Sequence, residues 1–215
     1  MSTILDSPWI TIWLSPRETI RRIVDRDPTY RVIMLGALAG ALATLNSMLA
    51  AALGLTPIPL PASLVPFLPV LTFASPFLGA GLGILGLYAT AVAMDWSGRA
   101  LGGVGNALTV RAAVAWAGIP QICLSIVTLL ILLGTGVWEA LVTSTSAPNS
   151  LSVATASPFT LANWVEAIIS VWSFILMLQC VGEVHRFSAW RALAAFLVPG
   201  VILGAVAIVL KIALT

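Results

Sequence analysis

Four polar side chains interrupt apolar stretches that are long enough to cross a membrane: Asn46, Gln121, Glu166 and Gln179. A polar group at membrane depth is costly, so each marks a candidate site for an ion, a proton or a substrate. The same groups could instead hydrogen-bond across helices. Glu166 lies about five residues, or about 7–8 Å, inside its apolar stretch. Its carboxyl group therefore either reaches the outer head groups beside Trp164 or forms an ion or proton site.

The residue types that usually carry catalysis or bind metals are few and scattered. His185, the single histidine, lies beside Glu183 in GEVHRF, and without a third ligand we predict an unpaired, solvated side chain. Cys123 and Cys180 lie inside apolar stretches and are predicted to be free, buried and inert. No H-E-x-x-H, C-x-x-C or Ser-His-Asp set occurs, so we expect no catalytic residue, cofactor or metal, and no enzyme.

The composition places these residues in a membrane protein. The chain has 215 residues, of which 60% are hydrophobic and 8% charged, whereas soluble domains carry about 25% charged residues. So few charges could not cover a water-soluble surface, but lipid needs no such cover. No basic patch lies on a soluble domain, which argues against nucleic acid as a partner.

Five stretches are apolar enough to span, at about 32–54, 67–94, 112–137, 161–182 and 192–213, since a spanning helix needs about 20 such residues. The second is interrupted near its start by Pro66, Pro69 and Pro76. We therefore predict an all-α polytopic membrane protein, with a five-helix transmembrane domain over 32–215 preceded by a cytoplasmic segment over 1–31.

The basic residues predict the orientation of these spans. Five of the ten precede the first span, two lie in 95–111, two lie in 183–191, and none lies in 55–66 or 138–160. Because short cytoplasmic loops are enriched in Lys and Arg, we predict a cytoplasmic N-terminus and an external C-terminus. A four-span arrangement without the second stretch would place Arg99 and Arg111 on the wrong side.

The segment SPRETIRRIVDR, 15–26, has the pattern of an amphipathic helix. Ser15 and Glu18 match a capping box, and the following Asp27-Pro28 pair could end this helix and begin the first span. We expect its apolar face at the acyl boundary and its basic face near head groups. This segment either only orients the chain or also binds a lipid or a cytoplasmic partner, through the candidate residues Arg17, Arg21, Arg22 and Arg26.

Small residues recur at helical spacing in the first two spans. Gly36 and Gly40 lie in the first span, and Gly79 and Gly83 in the second. Such pairs let helix backbones approach closely, either within the chain or in a dimer. The stretch GRALGGVGNAL, 98–108, has no preceding strand and no G-K-[ST], so we predict a tight cytoplasmic turn rather than a phosphate loop.

Three stretches together resemble the Yip (Ypt-interacting protein) family, in its compact bacterial branch. They are PWITIWLSPRETIRRIVDRDP, RALGGVGNAL with the following AVAWAGIP, and GEVHRFSAWRALAAFLVPG. The resemblance covers nearly the whole chain and implies five spans with a cytoplasmic N-terminus. Eukaryotic members of the family bind Rab-type GTPases in Golgi and endoplasmic-reticulum membranes. We expect no counterpart of their long N-terminal cytosolic region in this chain, so GTPase binding is not carried over.

Two functional hypotheses follow from these patterns. The first is a non-enzymatic membrane-organising or scaffold protein in a bacterial inner membrane. Its cytoplasmic face would bind membrane lipids, a second copy of the chain or a cytoplasmic protein. The alternative is a small transporter or lipid-translocating protein, in which Asn46, Gln121, Glu166 and Gln179 line a path. A transporter would bring these groups to one wet cavity, whereas a scaffold would leave them paired or at the interface.

Overall fold

The computed structural model describes residues 7–52, 63, 65–143 and 161–213, which form helices joined by turns and short loops. Side chains are described for these residues except 65, 135–143, 161–163, 203, 206–210 and 212–213. A 3₁₀ turn covers Val65–Phe67. The α-helices are α1 (Pro8–Leu14), α2 (Pro16–Arg26), α3 (Val32–Ala52), α4 (Leu68–Ala100), α5 (Ala107–Ala117), α6 (Ile119–Thr143), α7 (Leu161–Val184) and α8 (Ala189–Ala213). The predicted all-α class is confirmed.

Four apolar segments of the described chain are long enough to cross a membrane, at Val32–Ala52, Leu68–Ala100, Ala107–Gly134 and Trp164–Val184. A shorter apolar helix covers Ala189–Ile202. In the most apolar part of each long segment, only 22–28% of the residues are buried within the protein. The outward side chains include Phe73 at 76% and Val201 at 68% exposure, and a surface of this kind requires lipid as its solvent. The protein is integral to a membrane.

The helix ends differ from the predicted ones where side chains or loops decide them. Helix α4 runs on to Ala100, and α5 begins at Ala107, so the predicted loop 95–111 shrinks to 101–106. Pro76 lies within α4 without ending it. The third span is broken at Gly118, whose N–H donates to the Ala115 carbonyl at 3.3 Å as α5 ends.

The Asp27-Pro28 pair ends α2 but does not also begin the first span, which starts at Val32 as the apolar stretch 32–54 predicted. Instead, Asp27 Oδ1 accepts hydrogen bonds from the Thr29 hydroxyl at 2.6 Å and the Thr29 N–H at 2.8 Å. These bonds lower the pKa of the Asp27 carboxyl below its ordinary value. They close a turn, and α3 starts only at Val32.

The chain divides into two compact units. The first unit comprises Met1–Leu35, Leu85–Ile119 and Ser173–Thr215, and the second comprises Gly36–Ile84 and Pro120–Trp172. In the second unit α3 and α4 meet backbone to backbone, because a Cβ on Gly40 would lie 2.6 Å from the Gly83 Cα. The Thr44 hydroxyl also donates to the Ser75 carbonyl at 2.8 Å. This contact confirms the intramolecular alternative for the glycine pairs.

In the first unit an aromatic cluster attaches the N-terminal segment to α5. Trp116 is fully buried, lies 5.3 Å from Trp9 and is stacked at 5.9 Å on Tyr30. Its Nε1–H donates to the Tyr30 carbonyl at 3.2 Å. The Arg31 guanidinium lies over both Trp9 and Tyr30, at 5.8 and 5.3 Å from the ring centroids. These contacts help to hold the helix that carries the candidate arginines.

Candidate functional site

Helix α2 presents its arginines outward because its apolar face is held by protein. Ile20 is fully buried and Ile23 is 5% exposed, and α2 packs on α1 and α5. The Thr19 hydroxyl donates to the Thr11 hydroxyl at 2.8 Å, which links α2 to α1. The amphipathic helix is present as predicted, but this apolar face is covered by the chain itself and not by acyl chains.

Two arginines of α2 meet two polar residues of α7. The Arg17 Nε–H donates to Gln179 Oε1 at 2.6 Å, and the Arg21 Nε–H donates to Glu183 Oε1 at 2.7 Å. Arg21 also forms an ion pair with Glu183 at 2.6 Å, and Arg17 forms a longer one at 3.8 Å. The two arginines are four residues apart in α2, and their two partners are four residues apart in α7. One face of α2 therefore lies along one face of α7. The end of α7 also favours nearby cations through the helix dipole.

An open cavity of about 650 Å³ lies over this contact, lined by Arg17, Arg21, Glu183, Arg186, Phe187 and Ser188. It holds three guanidinium groups and one carboxylate, a surplus of two positive charges. The Glu183 side chain is 15% exposed, whereas that of Arg21 is 63% exposed. The single anion is therefore covered while the cations keep donors free for a further group.

Arg186 supplies the third cation from the turn between α7 and α8. The Phe187 N–H donates to the Gly182 carbonyl at 2.9 Å, and the Arg186 N–H donates to the Glu183 carbonyl at 3.1 Å. This is the Schellman pattern, whose left-handed position is usually occupied by glycine. Arg186 holds that position with φ at 56°. Among the described residues, no side chain pairs with its guanidinium.

The other two candidate arginines of α2 lie elsewhere. Arg22 pairs with Glu18 at 3.9 Å along the helix. Arg22 and Arg26 line a separate cavity of about 290 Å³, together with Pro8, Thr11, Thr19, Ile23, Asp27 and Tyr30. The four predicted residues therefore form two groups, and the structure brings only Arg17 and Arg21 to Glu183.

The prediction that His185 is solvated is wrong. Its side chain is 1% exposed and is stacked on Phe187 at 5.1 Å. The loop 101–106 folds against it: the Val104 N–H donates to the His185 carbonyl at 3.3 Å, and the Gly105 N–H donates to Nδ1 at 3.2 Å. A Cβ on Gly103 would lie 2.8 Å from the Cγ atom of the ring and closer still to Nδ1. The glycine-rich stretch is therefore a cradle for this ring.

Burial also sets the protonation of His185. It lowers the pKa of the imidazole below its ordinary value, while the Asp95 carboxylate and the Met94 carbonyl act in the opposite direction. Asp95 is 3% exposed and pairs with Arg99. Since Nδ1 accepts from Gly105, the neutral ring carries its proton on Nε2. The described residues contain no cluster of three metal-ligating side chains.

The predicted intramembrane polar residues bind different partners. The Asn46 Nδ2–H donates to the Ser125 carbonyl at 2.9 Å, and Gln121 Oε1 accepts from the Ser170 hydroxyl at 3.5 Å. Glu166 is exposed on α7. These three residues belong to the second unit, whereas Gln179 belongs to the arginine contact of the first.

The cysteines also differ from the prediction. Cys180 is buried and free as expected, but Cys123 is exposed on an apolar helix. Periodicity along one helix did not indicate which side of α6 faces outward. The sequence likewise held no signal for the partners of the α2 arginines, because Gln179 and Glu183 lie 162 positions away along the chain.

A family model described as the Yip1 domain matches residues 10–210. No curated protein and no solved structure matches the chain.

Proposed function

Because the chain belongs to the Yip1 domain family, we propose that it is a non-enzymatic membrane-organising or scaffold protein that binds partners through a basic cytoplasmic face. We place it in a bacterial inner membrane, with its N-terminus inside. The expected partners are membrane lipids, and also a second copy of the chain or a cytoplasmic protein. The family is not known as an enzyme family.

The observation that carries this proposal is the outward basic face of α2 above a protein-packed apolar face. Ile20 and Ile23 are buried, whereas Arg21, Arg22 and Arg26 are exposed. A helix that only marked orientation could lie loosely at the interface. A helix held by packing presents its cations in a fixed arrangement, as a binding surface requires.

The transport alternative has weaker support. Asn46 and Gln121 bond to the Ser125 carbonyl and the Ser170 hydroxyl, as helix-packing residues do. Gln179 is engaged by Arg17. A polar path would need several of these groups to line one hydrated cavity, whereas their described hydrogen bonds are made to different partners.

The test compares what the protein binds with what it moves. Wild type would be extracted with its native lipids in polymer discs, beside a variant with Arg17, Arg21, Arg22 and Arg26 all changed to Gln. We expect the variant to lose bound anionic lipid or protein, measured by quantitative mass spectrometry. Glu166→Gln serves as the control and should keep them. Unchanged partners in the arginine variant, together with a solute flux that Glu166→Gln abolishes, would favour the transporter instead.

A further inference from the structure

An open cavity lies between α2 and the α7–α8 turn. It adjoins Glu183 and Arg186, at the end of the membrane-spanning segment Trp164–Val184. The end of a spanning helix lies where the hydrocarbon gives way to the polar head groups. An anion bound here would therefore have phospholipid phosphates as its nearest source.

The net charge of the cavity lining favours the binding of such an anion. Glu183 offsets one of the three guanidinium groups, which leaves a surplus of two positive charges. Arg17 and Arg21 already have their Nε–H groups engaged by Gln179 and Glu183, and this fixes the direction of their remaining donors. Guanidinium groups held in this way match the oxygens of a phosphate.

The backbone of Arg186 is the second, independent observation. A side chain in the left-handed region costs free energy that glycine would avoid. Arg186 nevertheless occupies the glycine position of the Schellman motif, with φ at 56° and no partner among the described side chains. A strained position with an unpaired charge over a cavity points to a ligand for that charge.

We propose that Arg17, Arg21 and Arg186 bind the phosphate group of an anionic phospholipid in this cavity. Phosphatidic acid is the best match, because its phosphate monoester carries between one and two negative charges near neutral pH, more than a phosphodiester. The site rests on the proposed function, since it names the partner of the basic face. Arg186 is its most informative residue, because its side chain forms no hydrogen bond or ion pair with a described residue.

The experiment places the protein in nanodiscs of phosphatidylcholine with a minor fraction of phosphatidic acid. Native mass spectrometry then measures how many phosphatidic acid molecules stay bound. We expect wild type to be enriched in phosphatidic acid and Arg186→Gln to bind it about tenfold more weakly, the loss of one charge-assisted contact. Arg186→Gly should lose binding equally, while its thermal unfolding midpoint is unchanged or higher because the turn is relieved.

Arg191→Gln is the matched control, since Arg191 is exposed nearby on α8 but does not line the cavity. It should bind as wild type does.

Soluble glycerol phosphate is added as a competitor and should displace little lipid. Equal losses in Arg186→Gln and Arg191→Gln would overturn the site and indicate diffuse attraction. Displacement by glycerol phosphate would overturn the lipid as ligand. If the Arg186 variants bind as wild type does while the fourfold arginine variant still loses its partners, this site fails but the proposed function stands.

Discussion

At the scale of single residues, the buried His185 ring explains why glycine occupies several nearby positions. Three glycines, Gly98, Gly103 and Gly105, approach its ring from α4 and the following loop. Each would bring a Cβ to within 2.9 Å of a ring atom. The sequence alone did not predict that His185 contacts the glycine-rich stretch, because nothing in a single sequence indicates that two such distant positions meet in the fold.

The first prediction tests that contact with two alanine substitutions in the same helix. Gly98→Ala should destabilise the protein by about 1–3 kcal/mol, because the new Cβ would lie 2.6 Å from His185 Cε1. Gly86→Ala is the control, since no atom lies within 4 Å of its Cβ position. There the better helix propensity of alanine should add about 0.5–1 kcal/mol. Thermal unfolding in detergent measures both, and a stabilising Gly98→Ala would contradict the packing.

The second prediction concerns pH. Burial lowers the pKa of folded His185 below its ordinary value of 6.5, so the unfolded chain takes up a proton at a pH where the folded chain does not. The stability linked to this group is therefore complete above pH 6.5 and is lost as the pH falls toward the folded pKa. Thermal unfolding from about pH 8 to about pH 5 should show this decline.

His185→Asn is the matched variant for the pH series, because its amide oxygen can accept the Gly105 N–H in place of Nδ1. The variant loses ring packing at every pH, so the slope and not the level is compared. Its unfolding midpoint should depend less on pH than that of wild type. An identical slope would show that a group other than His185 carries the dependence.

At the scale of helices and loops, their existence follows from hydropathy, but their ends follow from particular bonds. Asn106 accepts from the Leu108 and Thr109 N–H groups, both at 3.0 Å, and its own N–H donates to the Thr109 hydroxyl at 3.1 Å. This capping box starts α5. The sequence pattern instead indicated Ser15 as a cap, yet the Ser15 side chain makes no capping hydrogen bond.

The third prediction sets these two positions against each other. Asn106→Ala should cost about 1 kcal/mol, because two N–H groups at the start of α5 lose their acceptor. Asn106→Asp should restore most of that stability. Ser15→Ala should change the free energy of unfolding by less than about 0.5 kcal/mol. Chemical unfolding in a fixed detergent distinguishes them, and a larger cost at Ser15 than at Asn106 would reverse the assignment.

At the scale of the whole molecule, composition and charge were enough to predict the fold class, but the candidate site depends on tertiary contacts that they do not indicate. Apolar runs of spanning length predicted an all-α membrane protein, and the basic cluster predicted α2 and its four arginines. Neither pattern could indicate that Arg17 and Arg21 face Glu183 while Arg22 and Arg26 line another cavity. Helix periodicity already puts the two pairs on different sides of α2, but it does not identify the partner that each side meets. For Arg17 and Arg21 that partner is α7, which is distant along the chain.

The orientation of the chain is the last prediction, and it decides which compartment the arginine cavity faces. Val104 is 67% exposed, and its N–H donates to the His185 carbonyl, so a label there reports the side on which the α7–α8 turn lies. Val104→Cys in a chain carrying Cys123→Ser should react with a membrane-impermeant maleimide in inverted vesicles but not in intact spheroplasts. Ser150→Cys, within the 138–160 segment that contains no Lys or Arg, should show the opposite pattern. If Val104→Cys were labelled from outside, the basic cavity would face away from the cytoplasm, and both cytoplasmic partners and inner-leaflet lipids would be excluded as its ligands.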